Sequence, residues 1–205
     1  MSLLRLGVLV SGRGSNLQAV IDNCTAGLVP AEVAVVISDK ENAYALERAG
    51  NHGIPAVYIN PGDFVSKEEY EAAVVRHLQE NRVELVVLAG YMRIVGKVLL
   101  NSYSDKIMNI HPALLPSFPG THGQKDAVDY GVRFSGCTVH FVDEGMDTGP
   151  IILQAVVPVM QEDTADTLAA RILEQEHKLF SEAINLYAQG KLEIQGRRVM
   201  IKEVN

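Results

Sequence analysis

The chain has 205 residues, 47% apolar and 21% charged, with a formal net charge of -7 and a pI near 5.4. That length suits one α/β domain burying roughly 70% of its unfolded surface. The acidic balance argues against nucleic acid or another polyanion as a partner of the whole surface, although a few backbone N–H groups can still build a local anion pocket.

Leu3–Val10 is nearly continuous in apolar residues, as a strand covered on both faces should be. Leu17, Val20, Ile21 and Cys24 then recur at helical spacing. Ala31–Ile37 reads as a second buried strand, Ala43–Ala49 as a short helix and Pro55–Tyr58 as a third strand. Ser66 followed by Glu69 is a capping-box pattern opening a helix to about Glu80. Leu85–Ala89 and Lys106–Ile110 complete the first set of strands, and this alternation predicts a mostly parallel sheet with helices on both faces. Phe134–Val142 and Ile151–Val157 are joined by too short a connection for a crossover, so they should pair antiparallel. A long helix follows from about Thr164 to Ala188, and Lys191–Ile201 reads as a small hairpin turning at Gln195-Gly196. The expected fold is therefore α/β, a single doubly wound, mostly parallel sheet with an antiparallel strand pair in the C-terminal half.

The two cysteines, Cys24 and Cys137, and the six histidines are scattered without metal-ligand spacing, so no metal and no disulfide framework is expected. No secretory signal or apolar run of membrane-spanning length is visible, which predicts a cytoplasmic protein with no membrane partner.

The strongest chemical signal is Asn109-Ile110-His111-Pro112. On a strand of period two, Asn109 and His111 share one face while Met108 and Ile110 take the other. Leaving either polar side chain unpaired costs roughly 1–3 kcal/mol. The pair either ties down the next loop or does chemistry. That loop holds Pro112, Pro116, Pro119 and Gly120, and proline fixes φ and stiffens it.

Ser11-Gly12-Arg13-Gly14-Ser15-Asn16 joins the first strand to the first helix. It lacks a dinucleotide fingerprint, because Leu17 stands at the third glycine position and Asp39 lies too far on, and it lacks the P-loop ending. It is either a small-phosphate cradle or a tight turn with Ser15 or Asn16 as N-cap. Asp143 and Glu144 read most simply as solvated loop acids. Gly145 and Gly149-Pro150 bracket Asp147, suggesting a shaped turn, and a carboxylate beside His111 would favour the imidazolium form. Glu176 falls between the two apolar rows of the long helix and needs a partner, whether a buried cation or a ligand. Tyr91-Met92-Arg93-Ile94-Val95 is either core packing with a surface arginine or an apolar lining for a flat ligand.

Taken together, Ser-Gly-Arg-Gly-Ser-Asn-Leu (11–17), Leu-Ala-Gly-Tyr-Met-Arg-Ile (88–94), Asn-Ile-His-Pro-Ala-Leu-Leu-Pro (109–116), Phe-Pro-Gly-Thr-His (118–122), Val-His-Phe-Val (139–142) and Met-Asp-Thr-Gly-Pro-Ile-Ile (146–152) span almost the whole chain. In that order they resemble the folate-dependent glycinamide ribonucleotide formyltransferases of purine biosynthesis. The resemblance implies that the amine of glycinamide ribonucleotide attacks the formyl carbon of 10-formyltetrahydrofolate, a co-substrate, and releases tetrahydrofolate. It implies Asn109 and protonated His111 as oxyanion stabilisers, and Asp147 as the group that keeps His111 protonated and helps move protons. Gly14, Ser15 and Asn16 match the phosphate site and Glu176 the ribose-hydroxyl ligand. Met92, Arg93, Ile94 and Val95 match the folate wall, together with Asn109 and the loop from Asp143 to Asp147. Lys67 stands near a position where some members carry arginine for the folate's glutamate tail; lysine keeps the charge but loses the bidentate fork. Arg13 and Thr148 fall at variable positions.

The implied organisation is one formyltransferase domain: a phosphate-binding half over about 1–100, a folate and catalytic half over about 101–190, and the terminal hairpin over about 191–202. The partners expected are small molecules, with the chain a monomer or homodimer. Rival readings are a formyltetrahydrofolate hydrolase, expected to carry an extra N-terminal domain, and a methionyl-tRNA formyltransferase, expected to carry a C-terminal domain and a basic surface. A third rival is a non-catalytic nucleotide-binding module.

Overall fold

A computed structural model describes residues 2–202. The chain divides into two compact units, Met1–Asn109 and Ile110–Asn205. The first unit runs β1 (Leu4–Val10), α1 (Ser15–Thr25), β2 (Ala31–Ser38), α2 (Tyr44–Asn51), β3 (Ala56–Tyr58), α3 (Lys67–Glu80), β4 (Leu85–Leu88), α4 (Lys97–Ser102) and β5 (Ile107–His111), whose last two residues enter the second unit. Its strands lie in the order β3-β2-β1-β4-β5, and every neighbouring pair is parallel. The apolar runs explain this. The last five residues of β1 and all four of β4 are buried, as strands covered on both faces require. β3 differs: at the end of the order, its side chains are mostly exposed.

The helices follow their stripes. Leu17, Val20 and Ile21 of α1 are buried, and Cys24 ends the stripe half-buried, where desolvation pushes its thiol up to about 11. At α3 the Ser66 hydroxyl accepts from the Glu69 N–H at 3.2 Å. The reciprocal arm departs from the expected capping box, because the Glu69 carboxylate accepts instead from the Val65 N–H at 3.2 Å. α4, with six residues, is too short to show a periodic stripe and carries no signal in the sequence.

The second unit contains α5 (Gly123–Tyr130), β6 (Phe134–Phe141), β7 (Ile151–Pro158), α6 (Ala165–Ala188), β8 (Leu192–Gln195) and β9 (Arg198–Ile201). β6 and β7 pair antiparallel from Phe134↔Pro158 to His140↔Ile151. The terminal hairpin β8–β9 forms as expected, and a parallel bridge Ile151↔Arg198 adds it to β7. Gly149 closes the β6–β7 connection, since a Cβ there would sit 1.8 Å from the Phe141 carbonyl oxygen. α6 buries Leu168, Ile172, Leu179, Phe180, Ala183 and Ile184 behind a reciprocal Thr164–Thr167 capping box. The architecture is thus α/β, mostly parallel, with antiparallel pairs in the C-terminal half.

Candidate active site

Gly14, not Ser15 or Asn16, is the N-cap of α1, and no side chain caps this helix. Gly14 has φ +72° and its missing Cβ would lie 2.7 Å from the Ala45 Cβ, so both backbone and packing demand glycine. The first-turn N–H groups of a helix have no carbonyl one turn back, and α1 places no acid among them. The loop is held from outside: Arg48 donates from Nε to the Arg13 carbonyl at 2.9 Å, and the Ala45 N–H donates to the Gly12 carbonyl at 3.1 Å. This is a fixed, cap-free helix start of the kind that accepts a phosphate.

Tyr91 to Gly96, after β4, presents an apolar edge. Met92 and Ile94 are exposed while Val95 is buried, and the Arg93 guanidinium lies 5.1 Å from the centre of the Tyr70 ring. The Met92 N–H donates to the Ser11 hydroxyl at 2.9 Å. At the other end Lys67, exposed at the start of α3, runs beside Gly96, whose missing Cβ would lie 2.8 Å from the Lys67 Cε.

On β5 Met108 and Ile110 are buried, as the alternation required, and Asn109 is half-buried. His111 is 3% exposed. Its Nε2 lies 2.8 Å from the Phe118 carbonyl oxygen; a carbonyl only accepts, so Nε2 carries a proton. The other nitrogen, Nδ1, faces Asp147 Oδ2 at 3.5 Å. Asp147 adopts φ +54°, a left-handed conformation that aspartate tolerates better than most residues. Its Oδ2 accepts from the Gly120 N–H at 2.8 Å and its Oδ1 stands 3.8 Å from His140 Nε2. One carboxylate thus serves two histidines and the proline-rich loop.

His140, in the Val-His-Phe-Val segment, joins this site although nothing in its local sequence marks it. Its Nδ1 is 2.8 Å from the Phe141 carbonyl oxygen, so Nδ1 carries the proton of the neutral ring. Burial holds its pKa below the ordinary value of 6.5 against the raising effects of the Phe141 bond and Asp147. A histidine with a lowered folded pKa binds fewer protons folded than unfolded, so its contribution to stability is complete above about pH 6.5 and is lost as pH falls from there through the lower folded value. The melting temperature should therefore drop between pH 7 and 5, and His140→Gln should flatten that drop; an equal drop in both proteins would exclude His140 as a source.

Asp143 shapes the same loop: its Oδ1 accepts from the Gly145 N–H at 3.0 Å and from the Thr148 hydroxyl at 2.6 Å. This is more than a solvated loop acid. Glu176 is buried on α6, and its charge adds to desolvation in pushing the Cys137 thiol up to about 12. Among the described residues there is no cluster suited to a metal ion and no helix long and apolar enough to cross a membrane.

A family model described as formyl transferase matches residues 4–184, and the chain belongs to that family. Within it, the chain is 39% identical over 191 residues to the phosphoribosylglycinamide formyltransferase of Escherichia coli, covering 93% of this chain and 90% of that one. It is also 49% identical over 190 residues to the trifunctional purine biosynthetic protein adenosine-3 of Drosophila pseudoobscura pseudoobscura; that match covers 92% of this chain but only 14% of the relative's length. Among solved structures, the glycinamide ribonucleotide transformylase 1 of Symbiobacterium toebii superposes with TM-score 0.97 at 50% identity, covering 98% of this chain and 95% of that one. A formyltetrahydrofolate deformylase from Pseudomonas syringae shares the fold at TM-score 0.91 with 25% identity, over 98% of this chain and 66% of that one.

Proposed function

We propose that this chain transfers the formyl group of 10-formyltetrahydrofolate to the amine of glycinamide ribonucleotide, giving formylglycinamide ribonucleotide and tetrahydrofolate in de novo purine biosynthesis. The observation that carries the reading is the imidazole of His111 buried beside the carboxylate of Asp147, on the strand that also holds Asn109. The amine nitrogen attacks the formyl carbon, the carbonyl π-pair moves to oxygen, and a tetrahedral intermediate forms. Asn109 and His111 donate to that oxyanion. At 3.5 Å the His111 Nδ1 contact with Asp147 is beyond a good hydrogen bond, so a proton on Nδ1 remains available to the oxyanion while the carboxylate balances its charge. Collapse then breaks the bond to the folate nitrogen. The proton lost by the amine ends on that nitrogen, with Asp147 relaying it through water.

In the first unit, Gly14, Ser15 and Asn16 take the phosphate; Met92, Arg93, Ile94 and Val95 take the folate, and Lys67 its anionic tail. In the second unit, Glu176 accepts from a ribose hydroxyl, and Asp143 holds the folate-side loop. A single domain acting in the cytoplasm as a monomer or homodimer fits this reading, with no metal in the chemistry.

The test is to incubate the purified protein with 10-formyl-folate, with and without glycinamide ribonucleotide, and follow deformylation by absorbance. Deformylation that requires the ribonucleotide is expected. Deformylation without it would mean that water accepts the formyl group, and none in either case would leave only a binding module.

The phosphate assignment has its own test. Gly14→Val combines a strained φ with a collision against Ala45, so it should raise KM for the ribonucleotide by on the order of 10-fold or more. An unchanged KM in the folded variant would remove this loop from the binding site.

A further inference from the structure

Among the described residues of the first unit, two acids are buried, Asp39 at 5% and Glu71 at 4% exposure. Burying a carboxylate is costly unless hydrogen bonds compensate it, so the partners of each indicate what the cost secures. Both serve the same stretch of backbone. Glu71 accepts directly from the Gly96 N–H and from the Leu99 N–H at 3.3 Å, which fixes the start of α4. Asp39 works one step removed: the Ser11 hydroxyl donates to its Oδ1 at 2.6 Å and accepts from the Met92 N–H at 2.9 Å. A serine hydroxyl has a single proton. Once the carboxylate has claimed it, the oxygen lone pairs are left to face Met92.

The neighbouring residues are fastened as well. The Tyr91 and Tyr70 hydroxyls lie 2.9 Å apart, burial keeps both of them protonated, and Arg93 stacks on the Tyr70 ring. What this fixed segment displays is apolar: Met92 is 64% and Ile94 57% exposed. Exposed apolar side chains on a backbone held by two buried acids describe a preformed contact surface better than they describe core packing.

We propose that Asp39 is a positioning residue for the folate co-substrate, acting through Ser11 to set the Met92 backbone and with it the Met92 and Ile94 side chains. This rests on the reading of residues 92–95 as the folate wall. Asp39→Ala should raise KM for the folate by about tenfold, the effect of losing one charge-assisted bond, while kcat and KM for the ribonucleotide move by no more than about twofold. Ser11→Ala, a smaller change that carries the test if Asp39→Ala does not fold, should act in the same direction. Asp39→Asn keeps an acceptor for the Ser11 hydroxyl and should recover most of the loss. Ile94→Ala probes the wall directly.

A folate KM that rises in Ile94→Ala but not in Ser11→Ala or Asp39→Ala overturns the proposal and leaves the wall standing. No rise in any of the three overturns the wall and the proposal with it. An equal rise of both KM values with a falling kcat would assign Asp39 to general scaffolding and also overturn it.

Discussion

Replacing His111 with alanine is expected to lower kcat by on the order of 10²-fold or more, as for loss of one preorganised oxyanion donor. The same variant should keep its affinity for glycinamide ribonucleotide within about twofold, because the imidazole acts on charge that exists only in the transition state. The side chain is 3% exposed, so the substitution also leaves a void and deprives the Phe118 carbonyl of its donor. A stability loss of about 1–3 kcal/mol follows from the unpaired group, and the comparison must be made well below the variant's melting temperature. His111→Asn separates the two effects: it keeps a donor in the cavity but no titratable charge, so it should recover stability and little of the rate. Turnover unchanged in folded His111→Ala would falsify the proposed mechanism and leave the residue as a loop anchor.

How much of this could be read from residues alone depended on how local each determinant is. The parallel strands of the first unit were legible because both-face burial writes itself as continuous apolar sequence, as at Leu6 to Val10 and Leu85 to Leu88. His111 and Asp147 stood out for the opposite reason: a polar side chain at the exit of a buried strand, and an acid bracketed by glycines, both break their local pattern. His140 could not be found that way. It sits within a strand, and its meaning comes from the Asp147 carboxylate 3.8 Å away across a loop. Asp39 lies too far on to serve as a dinucleotide acid, and its role is not legible locally because its partner Ser11 is 28 residues distant. Of the two readings of residues 11–16, the tight turn capped by Ser15 or Asn16 fails, because Gly14 holds the N-cap position where Ala45 leaves no room for a Cβ. The six residues of α4 hold too few turns for periodicity to register, and α5, as long as α2, buries only Gly123 and Ala127 and so carries no large apolar stripe.

Asp147→Asn should reduce kcat by on the order of 10²-fold with little change in fold stability, the range for losing a positioned proton-transfer group. The geometry explains why asparagine suits the fold. It tolerates the left-handed backbone that Asp147 adopts at φ +54°. Its amide oxygen can replace Oδ2 as acceptor for the Gly120 N–H. Its NH2 would then face His140 Nε2, which accepts because Nδ1 of that ring donates to the Phe141 carbonyl. What asparagine cannot supply is the negative charge beside His111 Nδ1 or a site to receive a proton from the attacking amine. Asp147→Ala gives up the Gly120 bond and the left-handed tolerance together, and should lose stability as well as rate. The two roles of the carboxylate diverge in Asp147→Glu, which retains the charge but displaces it by one methylene. Retained rate there would mean that the negative charge near His111 is what matters, whereas a loss matching Asp147→Asn would mean that the proton must pass through one fixed position.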